Sequence, residues 1–79
     1  MSLLVAALLQ AGRLTDAADV LLHDPKTYPP PWNQLDALAR AYEAGSNREQ
    51  AIRFYALSLK ENPQNEFARK KLRELRGAQ

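Results

Sequence analysis

The chain has 79 residues, enough for one domain that buries roughly 60% of the surface exposed by its unfolded form. Hydrophobic residues make up 46% and charged residues 25%, a balance typical of a soluble folded domain and not of a disordered segment. The net charge of +2 is too small to indicate nucleic acid or an anionic membrane as the partner. The absence of cysteine excludes disulfides and cysteine-based zinc sites.

An apolar run at residues 3–9 has the composition of a signal-peptide core. No Lys or Arg precedes this run, and it is too short to span a bilayer. We therefore expect a cytoplasmic protein with neither a secretion signal nor a membrane anchor.

Apolar residues recur with the period of a helix in five segments, and no segment alternates as a strand does. The spacing predicts helices at residues 2–11, 15–23, 32–44, 48–61 and 65–76. The predicted fold class is all-α.

The breaks between these helices contain turn residues. Gly12 follows the first helix and Gly45 follows the third, and we expect a positive φ at both. The stretch from Ser46 to Glu49 fits a capping box, in which the Ser46 hydroxyl accepts from an early helix amide and Glu49 reaches back.

The second half of the chain repeats the pattern of the first. The two halves superpose when the sequence is shifted along itself until Ala17 falls on Ala51, and we call this shift the repeat offset. A small side chain at these two positions allows two helices to approach closely. The repeat offset therefore predicts two copies of one helical hairpin. The identical pairs are Leu4 and Leu38, Ala7 and Ala41, Ala17 and Ala51, and Pro29 and Pro63.

The second copy resembles the tetratricopeptide repeat family. The seven matching positions are Leu35, Leu38, Ala39, Tyr42, Ala51, Tyr55 and Pro63. Two departures affect the pattern: Leu35 replaces the first aromatic residue of the family, and Gly45 lies one residue before the usual turn glycine.

The resemblance implies antiparallel helical hairpins stacked as a short right-handed superhelix of five helices. Repeat one covers residues 1–31, repeat two covers 32–65, and a capping helix covers 66–79. Pro29 then closes repeat one, and we expect Pro31 in the first turn of the third helix, where a missing N–H costs nothing. A polyproline ligand is the alternative explanation for these prolines, and it lacks a basic anchor other than Lys26.

No pattern indicates a reaction. His23 is the only histidine, so it has neither a second histidine nor a cysteine with which to form a metal or catalytic site. Asp16 and Asp19 lie early in a helix, where acidic residues complement the helix dipole. We therefore expect no catalysis, no cofactor and no metal.

The last segment is basic, and two explanations are open for it. We expect Phe67, Ala68, Leu72 and Leu75 to form an apolar stripe that covers repeat two, with the charges facing water. RNA binding is the alternative, disfavoured because Phe67 is the only aromatic residue among the cations.

In the family that this chain resembles, the groove lined by the first helix of each repeat binds a peptide. The resemblance therefore implies a protein or peptide partner. Chaperone tails are disfavoured, because the family's clamp for a C-terminal carboxylate would fall on Ser2, Ala6 and Ala37. The predicted groove residues are Leu3, Ala6, Leu9 and Gln10, then Asn33, Asp36, Arg40 and Glu43, then Lys70, Lys71 and Glu74.

The first helix has apolar residues on all its faces, whereas the first helix of a terminal repeat should have a polar face exposed to water. Its leucines, among them Leu3 and Leu9, indicate a surface covered by a neighbouring segment, a second copy or a ligand. We predict a non-catalytic protein–protein interaction or assembly module that binds a peptide in the groove. The alternatives are a structural appendage of a larger protein, a homodimer formed through the first helix, and RNA binding through the last.

Overall fold

The computed structural model describes residues 3–23 and 30–77, and at residues 3 and 4 it describes the backbone alone. These ranges form five α-helices and no strand, so the all-α prediction is confirmed, with every predicted boundary within one residue. None of the described helices is long and apolar enough to cross a lipid bilayer. The helices are α1 (Leu3–Gln10), α2 (Leu14–His23), α3 (Trp32–Ala44), α4 (Arg48–Glu61) and α5 (Glu66–Gly77).

Two pairs of helix starts recur at the repeat offset. α2 begins at Leu14 and α4 at Arg48, two positions that the repeat offset aligns. α3 begins at Trp32 and α5 at Glu66, which the same offset aligns. The repeat offset found in the sequence is therefore also a property of the backbone.

The turn after α1 ends that helix with two characteristic hydrogen bonds. The N–H of Gly12 donates to the carbonyl of Leu9 at 3.1 Å, and the N–H of Arg13 donates to the carbonyl of Leu8 at 2.9 Å. This pair of bonds requires a left-handed backbone conformation at the first of the two donor residues. That residue is Gly12, which has a φ of 75°. The predicted positive φ at Gly12 is confirmed.

The turn after α3 has the same two bonds at the positions that the repeat offset aligns. The N–H of Ser46 donates to the carbonyl of Glu43 at 3.0 Å, and that of Asn47 donates to the carbonyl of Tyr42 at 2.9 Å. The left-handed residue is Ser46, with a φ of 64°. The predicted positive φ at Gly45 is wrong, because Gly45 has a φ of −87° and comes one residue too early.

The predicted capping box is also wrong. The N-cap of α4 is Asn47, whose side chain accepts a hydrogen bond from the backbone N–H of Gln50 at 3.3 Å. Ser46 already closes α3, and its backbone N–H donates to the carbonyl of Glu43, so it does not donate to the carboxylate of Glu49 as a capping box requires.

The core lies mainly between α3 and α4 and extends to the other helices. Ala17 and Ala51 have no exposed surface, as expected for small residues at close helix contacts. Tyr42 and Phe54 stack in parallel across the second hairpin, with ring centroids 5.7 Å apart. The two large rings therefore help to fill the core between α3 and α4.

The proline segment is described only in part. Pro29, expected at the repeat-closing position, lies outside the described residues, and Pro30 is buried. Pro31 is the N-cap of α3, and its carbonyl accepts from the N–H groups of Gln34 and Leu35, both at 3.1 Å. Pro31 thus lies just before the helix and not within its first turn.

We expect Ala51→Leu to lower the free energy of unfolding by about 1–3 kcal/mol, because the added methyl and methylene groups overpack a site with no exposed surface. Urea denaturation of purified protein measures this change. Ala44→Leu, at the exposed end of α3, is the control and should change stability by less than about 0.5 kcal/mol. Equal effects of the two substitutions would contradict the observed packing.

We expect Ser46→Gly to raise the free energy of unfolding by about 0.5–1 kcal/mol. A non-glycine residue in the left-handed region costs roughly 1–2 kcal/mol, and the greater flexibility of glycine in the unfolded chain offsets part of this gain. The reciprocal control is Gly12→Ser, where no atom lies near the added Cβ and the backbone effect alone should destabilise. Thermal melts of both variants test the pair, and a shift of the same sign in both would be inconsistent with the turn geometry.

Candidate functional site

A cavity of about 360 Å³ opens between α3 and the start of α5, and we call it the α3/α5 groove. Two aromatic rings and several polar side chains form its wall. The rings belong to Trp32 and Phe67, which are 41% and 42% exposed and are the only large hydrophobic side chains exposed in the described ranges. The lining residues are Trp32, Asn33, Asp36, Arg40, Asn65 and Phe67.

The start of α5 is fixed by the buried amide of Asn65. Its Oδ1 accepts from the backbone N–H of Ala68 at 3.2 Å, which makes Asn65 the N-cap of α5. Its Nδ2 donates to Ser58 Oγ at 3.0 Å and to Asp36 Oδ1 at 3.4 Å. One side chain therefore links α3, α4 and α5.

Ser58 carries this network to the beginning of α3. Its hydroxyl donates to the backbone carbonyl of Trp32 at 2.9 Å and has no exposed surface. Asp36 also lines the groove but is only 6% exposed, and its carboxylate accepts a hydrogen bond from Asn65. The network holds the backbone beside the Trp32 ring in a defined position.

The ring of Phe67 has cations nearby. The Arg40 guanidinium carbon lies 5.6 Å from the ring centroid, and Lys71 Nζ lies 5.8 Å from it. Both distances allow attraction between a cation and the electrons of the ring. The ring also meets Tyr55 in an edge-on contact, with centroids 6.0 Å apart. These contacts hold an exposed ring in place at the groove wall.

Glu43 joins α3 to both α4 and α5. Its Oε1 accepts from the Tyr55 hydroxyl at 2.9 Å, and its Oε2 lies 3.1 Å from Lys71 Nζ. Burial of Tyr55, together with its hydrogen bond to Glu43, raises the pKa of the Tyr55 phenol above its usual value. A phenol is already protonated at neutral pH, and the raised pKa keeps Tyr55 protonated and donating to Glu43 in alkaline solution as well.

A second cavity, of about 430 Å³, lies against α5 beyond the groove. It is lined by Lys70, Arg73 and Glu74, all exposed. Lys70 follows Phe67 by three residues, so the two side chains lie on neighbouring turns of the same helix face. The cationic side chains of α5 thus continue the direction of the groove.

The structure brings together part of the predicted site. Asn33, Asp36 and Arg40 line the α3/α5 groove, and Lys70 and Glu74 line the second cavity. The predicted Glu43 and Lys71 line neither cavity and form an ion pair that joins α3 to α5.

The predicted residues of α1 are not part of this arrangement. Ala6 and Leu9 are half-buried, Leu9 packs against the core, and Gln10 is exposed. Neither cavity is lined by any of these three residues. The side chain of Leu3 lies outside the described part of the chain.

Three lining residues are missed by the sequence analysis: Trp32, Asn65 and Phe67. The predicted apolar stripe of α5 is correct for Ala68 and Leu72, which are buried, and for Leu75, which packs partly buried against the core, and it is wrong for Phe67. The hydrophobic side chain of Phe67 favours burial. Residue 67, however, lies one position before Ala68 and therefore outside the buried stripe that Ala68 and Leu72 form.

No cluster of three or more His, Asp or Glu side chains in the described ranges could hold a metal ion. His23 is exposed at the last position of α2, and its Nδ1 lies 3.3 Å from the carbonyl of Asp19. Its place at a helix end agrees with the sequence analysis.

Comparisons with protein-family models, with curated proteins and with solved structures each find no match to this chain. The geometry of the groove is therefore the support for a function.

We expect Asn65→Ala to lower the free energy of unfolding by about 2–4 kcal/mol, since it removes a helix cap and leaves buried partners unpaired. The matched control is Asn47→Ala, which removes an exposed N-cap with one hydrogen bond and should cost about 1 kcal/mol. Urea denaturation measures both. If the two variants lose the same stability, the buried network contributes nothing beyond capping.

Proposed function

We propose that this protein is a non-catalytic interaction module that binds a peptide segment in the α3/α5 groove. One observation carries the proposal: Trp32 and Phe67, the only exposed large hydrophobic side chains of the described ranges, line the same cavity. Single exposed apolar residues are common on protein surfaces, but two rings that share a concave site are typical of binding surfaces.

The size and polarity of the groove suit a peptide. Its volume of about 360 Å³ lies within the range of roughly 300–1,000 Å³ found for ligand pockets. Asn33 and Arg40 lie exposed in its wall and offer donors to the carbonyl groups of an extended backbone. Rings for side chains and donors for the backbone are the two elements that peptide recognition requires.

The groove is also held in place before a ligand arrives. Asn65 ties the start of α5 to α3 and α4, and the Glu43–Lys71 ion pair ties it again further along. A preformed site loses less conformational entropy on binding than a flexible one. This supports the groove as a recognition surface.

The proposal includes a tetratricopeptide-like architecture. Two observations support stacked hairpins of similar structure. Two pairs of helix starts recur at the repeat offset, and the turns at Gly12 and Ser46 have matching hydrogen bonds. In such a right-handed superhelix, α1, α3 and α5 would line one concave face.

The alternative role as a dimerisation or docking domain has less support in the described part of α1. Val5 is buried, and Leu8 and Leu9 pack partly against the core. Residues 5–10 of α1 therefore present less apolar surface than their composition suggests.

Selection of a random peptide display library against the immobilised protein tests the proposal. We expect enriched peptides whose affinity, measured by calorimetry, falls at least about tenfold with Asn33→Tyr, which places a ring in the groove. Ala44→Tyr adds the same ring at an exposed position that lines neither cavity, and it should change affinity by less than about twofold. A selection without enrichment, or peptides that bind Asn33→Tyr unchanged, would refute groove binding.

A further inference from the structure

We infer that the α3/α5 groove selects peptides in which a large apolar side chain lies within about three residues of a carboxylate. This inference rests on the proposed peptide-binding function and specifies its ligand. The carboxylate is that of an Asp or Glu side chain.

The apolar requirement follows from the two exposed rings. Trp32 lies at the first position of α3 and Phe67 at the second position of α5, and both line the same cavity. An aromatic or large aliphatic side chain that enters this cavity removes apolar surface of both rings from water, which favours binding.

The carboxylate requirement follows from the cationic side chains that form no ion pair within the described residues. Arg40 and Lys70 are exposed, and neither forms an ion pair with any described residue. The negative charge nearest to Arg40 in the wall is that of Asp36, which is nearly excluded from solvent and bonded to Asn65. The groove, with Arg40, and the second cavity beside it, with Lys70, therefore each present an unpaired cation to a ligand, and a carboxylate is its complement.

The spacing follows from the distances between these groups. Arg40 lies 5.6 Å from the Phe67 centroid, and Lys70 lies three residues, about 4.5 Å along the helix axis, beyond Phe67. An extended peptide advances about 3.3 Å per residue. A carboxylate that reaches either cation is therefore one to three residues from the apolar side chain between the rings.

A nucleic acid is the less favoured ligand for the same surface. A single strand needs a track of cations along its phosphates. Here Glu43 pairs with Lys71, and Glu74 lines the second cavity beside Lys70. These carboxylates interrupt the positive surface where the strand would run.

Fluorescence of Trp32, the only tryptophan of the chain, provides a local readout. The first probe is a short blocked peptide with a central Phe flanked by Glu residues, and the second has Gln in place of every Glu. We expect the acidic peptide to bind at least about tenfold more tightly than the neutral one at low salt, since a charge-assisted hydrogen bond is lost with Gln. An oligouridylate is the third probe.

Arg40→Gln should remove most of the preference for the acidic peptide, and Lys70→Gln should reduce it about threefold. Arg48→Gln is the matched control, because Arg48 is exposed at the start of α4 and lines neither cavity. It should keep the preference within about twofold. Circular dichroism melts establish that each variant is folded, and Lys70→Gln provides the test if Arg40→Gln is not.

The outcomes separate this inference from the proposed function. If both peptides bind wild type equally, the carboxylate preference is wrong while groove binding stands. If neither binds but the library selection yields groove ligands, the inference alone fails, and if that selection also fails, the proposed function fails with it. Tighter binding of the oligouridylate than of the acidic peptide, lost in Arg40→Gln, would replace the peptide with a nucleic acid.

Discussion

The position of α5 depends on the buried side chain of Asn65. Burial of Ala68 and Leu72 attracts α5 to the second hairpin, but apolar contacts are not directional and permit a helix to slide. The Asn65 amide uses both its oxygen and its nitrogen, capping α5 and bonding to Ser58 and Asp36. Since hydrogen bonds require particular distances and angles, this group fixes where the helix begins. The α3/α5 groove exists because of that position.

The Glu43 carboxylate makes a second link and completes the wall of the groove. With Tyr55 and Lys71 as its partners, it joins three helices at a point further along α3. Two separated links prevent α5 from rotating about the first one. The ring of Phe67 lies between them, in contact with Tyr55, Arg40 and Lys71. Its exposure is thus a consequence of how α5 is held, and not of loose packing.

The helices were predictable because their apolar period and turn residues are local features. The links between helices were not, because Asn65 and Asp36 lie far apart in the chain and no local pattern connects an amide with a carboxylate. The turn at Ser46 was missed because glycine is the usual left-handed residue, and Gly45 drew the prediction one place early. Phe67 was misplaced for a different reason: the repeat offset aligns it with Asn33 on the groove face, while its hydrophobicity favours the core.

Burial divides the polar residues predicted on α3 and α5 into two functional groups. Asp36, Glu43 and Lys71 are tied to other helices, and a ligand that took them as partners would have to break these bonds first. Breaking a buried or half-buried pair leaves a polar group unpaired, at about 1–3 kcal/mol for each group. Recognition therefore favours the side chains with no such ties, Asn33 and Lys70, and the charge of Arg40, which lies over a ring of the groove and forms no ion pair with a described residue. Along the same helix faces, residues that hold the helices together thus alternate with residues that are available to a ligand.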